Sequence, residues 1–286
     1  MREKIALTRR GLVAAALAGS ATAVLPETAS LQPAAIPEPA AVKLTAAAEE
    51  GPFYLDLDLR RSDIAEGLAG VPLDIAFVVH DETGAILPGV RVDVWHCDAQ
   101  GRYSGFHGQG EDGRLDLTGK TFLRGTQITG ADGRTRFSSV YPGWYPGRTT
   151  HVHFKIIDGA AARLTSQIFL PDALSEFLYA NLGDYARSRL RDTLNSTDGI
   201  ALAAGETTRG EVREMAGRYV ATLQVRIDRK AVRAVPPPFQ PPPRGDHLAG
   251  PPPGFPPSGG FPPGAPPRHA APEGAERLKA LIPKAG

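Results

Sequence analysis

Val90-Arg91-Val92-Asp93-Val94-Trp95 alternates apolar and polar side chains, the period of a strand with one buried face. Upstream, Leu73-Asp74-Ile75-Ala76-Phe77-Val78-Val79 reads as another strand, ending at a turn in Asp81-Glu82-Thr83-Gly84. Downstream, Thr121 to Thr129 and Thr135 to Val140 flank Ala131-Asp132-Gly133, which predicts a hairpin-like turn. His151 to Ile157, Leu164 to Leu170 and Tyr219 to Ile227 are again strand-like. Asp172 to Arg191 differs: Leu174, Phe177, Leu178, Leu182 and Tyr185 recur at helical spacing and predict a helix packed on an end of the sheets. Short strands punctuated by Gly, Pro and Asp predict an all-β fold, an antiparallel β-sandwich with a short helical element.

The flanks have another texture. Met1 to Arg10 is basic, Gly11 to Pro26 is uncharged, and Ala21-Thr22-Ala23 offers a small-residue cleavage site. The uncharged run is shorter than the ~20 residues of a membrane-spanning helix. Residues 1–23 therefore read as a signal peptide, and Arg9-Arg10 as the pair of a bacterial twin-arginine signal, so the expected location is exported, periplasmic or extracellular. Residues 24–45, rich in Ala and Pro, read as a flexible lead. Residues 233–286 read as a disordered Pro/Gly-rich tail, since 15 prolines between Pro236 and Pro267 preclude a packed core. Spacer or wall-crossing stalk is the reading for that tail, and its partner is unknown. The segment 46–232 is left as the folded domain.

Composition removes several classes of chemistry. Lys plus Arg number 32 against 31 Asp plus Glu, a net charge of +1, which gives no electrostatic case for nucleic acid. Cys97 is the only cysteine, so neither an internal disulfide nor a thiolate cluster can form. A metal would need His, Tyr or carboxylate ligands.

The stretch that carries chemistry is Tyr141-Pro142-Gly143-Trp144-Tyr145-Pro146-Gly147-Arg148-Thr149-Thr150-His151-Val152-His153. His151 and His153, two apart on a strand, point to the same face and can bite one metal ion. Alone, such a pair is as readily ordinary surface or core histidine. Tyr145 lies in a Pro/Gly turn that can carry it back over that face. A phenol, with a pKa near ~10, gives up its proton only to a strongly acidic centre, and Fe³⁺ is suited to that. Trp144 reads as packing.

The segments now in view resemble the intradiol ring-cleavage dioxygenases. Val92 to Phe106, containing Trp95-His96-Cys97 and Tyr103-Ser104-Gly105, looks like that family's first-ligand segment. Thr121-Phe122-Leu123-Arg124-Gly125, Asp132-Gly133, the Tyr141 to His153 stretch and Thr165-Ser166-Gln167 follow in the family's order, and Glu50-Gly51-Pro52-Phe53-Tyr54 matches an early segment. Agreement runs from about residue 49 to 195. The resemblance implies a β-sandwich and one non-haem Fe(3+) per chain held by Tyr103, Tyr145, His151 and His153. It implies a catechol-type substrate that binds as a chelating dianion and displaces Tyr145. O₂ then attacks the ring, which opens between its hydroxyl-bearing carbons to a muconate-type diacid. Arg148 matches the arginine that stabilises charge developing on the ring, and Gln167 a polar partner on the same side. Tyr54 and His107 are expected to border the substrate pocket.

The lead is too short for the helical dimerisation domain that catechol and hydroxyquinol members carry. The resemblance is closer to the β-type protocatechuate subunit and to secreted single-domain members. A homo-oligomer or a second subunit stays open. His80 and His96 read as structural, and His247 and His269 lie in or beside the tail. Two further classes also stay open: a sandwich used only for binding or structure, and a zinc hydrolase using the histidine pair with a carboxylate as third ligand.

Overall fold

The computed structural model describes residues 43–230. The expected signal peptide, nearly all of the expected lead, and the expected tail lie outside the described residues. Within them, eight strands form two four-stranded sheets. One sheet has the order β4-β1-β8-β7, from Arg134–Val140, Pro72–His80, Arg218–Arg226 and Glu211–Met215. The other has the order β3-β2-β5-β6, from Arg124–Ile128, Arg91–Trp95, His151–Asp158 and Ala161–Phe169.

The two-residue period of the strands separates core from chemistry. Val92 and Val94 of β2, Val152, Phe154 and Ile156 of β5, and Leu164 and Ile168 of β6 enter one buried cluster with Leu73, Ile75, Phe77 and Val79 of β1. Each such side chain contributes roughly 1.5–3 kcal/mol on full burial. The alternate positions must face the other way: Asp93 and Trp95, His151, His153 and Lys155, and Thr165 and Gln167. That outer face is roofed by the chain before β1. Ala48 N–H donates to the Thr165 carbonyl, Thr126 N–H to Leu59, and Arg61 N–H to Thr126. Polar side chains thus sit in a second buried layer outside the sandwich core. The fold begins one residue inside the expected lead, because Thr45 is buried and exchanges hydrogen bonds with Arg226 of β8.

Three expectations need correction. The Ala131-Asp132-Gly133 turn does not close a hairpin, because β3 pairs with β2 and β4 with β1, in opposite sheets. The turn is an arch between layers, and local turn chemistry cannot tell the two apart. The sandwich is not wholly antiparallel, since β8 pairs with β1 in parallel. The other sheet intervenes between them in sequence and supplies the long crossover that parallel neighbours require. The helix is half as long as predicted. It spans Asp172–Asn181 (α1), Leu182 is extended, and a 3-10 turn covers Gly183–Tyr185. Phe177 is 59% exposed, so its place in the apolar pattern was accidental. Arg191 leaves the helical register because it is drawn inside, where its Nη1 donates to Asp172 at 2.9 Å. A short helix, Gly199–Ala204 (α2), and the exposed edge strand β7 had no clear pattern in the sequence.

Candidate metal centre

His151 and His153 lie on the outer face of β5, both buried. His151 Nδ1 lies 2.6 Å from the Thr149 carbonyl, which can only accept, so Nδ1 carries the proton and Nε2 the lone pair. His151 Nε2 is 3.1 Å from His153 Nε2. His153 has no such partner: its Nδ1 is buried and unbonded. Its ring is held instead by Trp95, its register neighbour on β2, stacked at 5.0 Å and 11°.

The tyrosines come from two loops packed back to back. A Cβ on Gly143 would lie 2.2 Å from the Ala99 carbonyl oxygen, and one on Gly101 2.1 Å from that of Trp144. Only glycine lets the backbones approach so closely. Asp98 shapes the first loop by accepting from Gln100 N–H and Arg102 N–H, and its carbonyl accepts from Gly143 N–H. Helix α1 braces the second loop through Tyr179, whose hydroxyl donates to the Pro142 carbonyl at 2.8 Å. Tyr145 Oη then falls 3.0 Å from His151 Nε2. The Tyr103 ring stands edge-on to Tyr145 at 5.7 Å and to His153 at 6.3 Å. Phe53 from the roofing segment stacks on Tyr103 at 4.2 Å, and a Cβ on Gly51 would touch His153 at 3.4 Å.

Burial dominates the electrostatics here. It pushes both histidines well below the ordinary imidazole range, with the Arg148 charge adding to it, so both rings are neutral and ready to ligate. Burial raises Tyr103 well above an ordinary phenol, and raises Tyr145 to about 12 despite the opposing Arg148 charge. Neither phenol ionises unaided. The Tyr103 hydroxyl is buried beside that of Tyr145, with no well-formed hydrogen bond. Donor atoms 3.0–3.1 Å apart suit one ion with bonds of about 2.0–2.1 Å. The arrangement therefore fits a single, strongly acidic cation. Among the described residues no three His, Cys, Asp or Glu side chains gather as a metal site, so the carboxylate that a zinc hydrolase would need has no candidate.

Beside this group lies a buried polar chain. Arg148 Nη2 donates to Gln167 Oε1 at 2.5 Å, Arg148 Nε to Asp198 Oδ2 at 2.9 Å, and Gln167 Nε2 to the Glu49 carbonyl at 2.7 Å.

The family model described as Dioxygenase matches residues 50–209. An intradiol ring-cleavage dioxygenase from Tetranychus urticae superposes with a TM-score of 0.61 at 27% identity, covering 67% of this chain and 98% of that one. The protocatechuate 3,4-dioxygenase beta chain of Burkholderia cepacia is 33% identical over 159 residues, 50% of this chain and 66% of that one. The chain belongs to the intradiol ring-cleavage dioxygenase family. A chlorocatechol 1,2-dioxygenase from Pseudomonas putida is 27% identical over 152 residues, 44% of this chain and 54% of that one. The chain thus spans about half to two thirds of the length of these curated relatives.

Two pocket residues expected from the resemblance stand differently in this intradiol family member. Tyr54 is turned aside. Its hydroxyl donates to Asp93 Oδ2 at 2.8 Å, Lys155 Nζ sits 3.6 Å from its ring centroid, and its ring packs on Trp95 at 4.7 Å. The aromatic that meets a candidate ligand is its neighbour Phe53. His107 is exposed, and its loop reaches the Tyr103 backbone through the Gln109 side chain: the His107 carbonyl accepts from Gln109 Nε2, and Gln109 Oε1 accepts from Tyr103 N–H. His96 and His80 are structural, with both ring nitrogens of each engaged, on Cys97 and Ser139 and on Gly84 and Gln224. Sequence reasoning missed Asp198 and Lys155. An Asp before an apolar run signals a helix cap, and Lys155 shares the parity of the histidines, but neither signal names a partner.

Proposed function

We propose that the protein is a non-haem iron(III) intradiol dioxygenase, in which Tyr103, Tyr145, His151 and His153 hold one Fe³⁺ and a catechol-type ring is opened between its two hydroxyl-bearing carbons. The observation that carries this reading is the meeting of two tyrosines and two neutral histidines on one buried face, with His151 Nε2 within 3.1 Å of two other candidate donors. When bound, Fe³⁺ would draw protons from phenol and catechol and make the ring reactive toward O₂. The chain's own part follows from its geometry. Tyr103, fully buried and stacked on Phe53, is the fixed ligand. Tyr145, partly exposed beside exposed Pro146, is the one free to yield its place and take a substrate proton on Oη. Arg148 supplies a buried positive charge for the ring as charge develops on it. Phe53 and Gly51 lie against Tyr103 and His153. Metal analysis with visible spectroscopy tests the reading. One iron per chain, a red-brown colour and a shift on adding catechol are expected. A colourless protein with stoichiometric zinc, inactive after iron loading, would refute it.

A further inference from the structure

Asp198 has more bonds than a helix cap needs. Its Oδ1 accepts from Ile200 N–H at 2.8 Å and Ala201 N–H at 3.1 Å, which caps α2. Its Oδ2 turns the other way, to Arg148 Nε at 2.9 Å and Thr149 N–H at 2.8 Å. Asn or Ser would cap the helix as well. What needs a carboxylate is the second pair. Arg148 is 7% exposed, and its other side-chain partner, Gln167, is neutral, so Asp198 supplies the negative charge that makes the burial tolerable. With Nε held by Asp198 and Nη2 by Gln167, the guanidinium plane is fixed. The same oxygen also accepts from Thr149 N–H, and the carbonyl of that residue accepts from His151 Nδ1–H.

We infer that Asp198 is a positioning residue for ring opening: it fixes the Arg148 guanidinium over the substrate and, through Thr149, the ring of His151. The inference rests on the dioxygenase reading and goes beyond it, because Asp198 is neither a proposed ligand nor a group placed against the substrate, but acts through Arg148 and Thr149.

Asp198→Asn is the informative variant, since Asn still caps α2 but presents an amide to Arg148 and Thr149. Iron content, the substrate-induced spectral shift, kcat, KM and Tm are measured for the wild type, Asp198→Asn, Arg148→Ala and the double variant. Turnover per iron in Asp198→Asn is expected to fall about 10–100-fold, the usual cost of losing a group that orients a ligand or catalytic residue. The fall should lie in kcat rather than KM, and the double variant should turn over no more slowly than Arg148→Ala alone. Wild-type turnover in Asp198→Asn, or losses that multiply in the double variant, would overturn the inference. Where Asp198→Asn does not fold, Tm decides. Recovery of the double variant toward the Arg148→Ala value supports the pairing, and no recovery overturns it. A wild type that takes up no iron and opens no catechol fails on the dioxygenase reading itself, visibly in that control.

Discussion

An ion pair ties the roof over the candidate metal centre to β5, and it makes a quantitative prediction. Lys155 is 2% exposed at its side chain and pairs with Glu50, which is 17% exposed. The ammonium also lies 3.6 Å from the Tyr54 ring centroid. Glu50→Gln leaves the buried Lys155 ammonium without its counter-charge. Breaking a buried pair in this way costs about 3–5 kcal/mol. For a domain of 150–250 residues, each kcal/mol moves Tm by roughly 2–4 °C, so a fall of about 6–20 °C is expected. Lys155→Met removes the buried charge and leaves the Glu50 carboxylate, which is already 17% exposed. Its cost should be smaller, about 1–3 kcal/mol for the partner left unsatisfied. The order matters more than the sizes: Glu50→Gln is the worse lesion, and the double variant recovers part of it. Urea unfolding of the four proteins measures this, and KM for catechol should rise with Glu50→Gln because the same segment carries Gly51 and Phe53. A Lys155→Met variant less stable than Glu50→Gln, or costs that add within ~0.5 kcal/mol, would refute the reasoning.

Tyr103→Phe and His153→Ala each remove a proposed ligand, so each should lose iron or the red-brown colour; full colour in either variant would mean the wrong residue. Gly143→Ala drives a Cβ to 2.2 Å from the Ala99 carbonyl oxygen, so it should part the two tyrosine loops and lower both Tm and iron retention, and an unchanged spectrum and Tm would count against that packing argument. Changing Arg9 and Arg10 to Lys should leave precursor in the cytoplasm if export follows the twin-arginine route, whereas unimpaired export would point to the general secretory route.

Much of this was legible without coordinates. Alternation along Val90 to Trp95 and along β5 marks strands, because a strand shows its two faces at successive residues, and the same parity put His151 and His153 together. Two tyrosines and two histidines in motifs of a recognisable order named the candidate ligands. Other features depend on contacts between residues far apart in the chain, to which periodicity is blind. Sequence could not say that the arms around Asp132 enter opposite sheets, that β8 runs parallel to β1, or that Phe53 rather than Tyr54 meets Tyr103. Nor could it say that Asp198, 50 positions from Arg148, would hold its guanidinium. Local pattern records which face a side chain takes. Which partner waits on that face is decided only when the sheets stack and the loops close, since a buried charge needs its counter-charge at hydrogen-bond distance, wherever in the chain it lies.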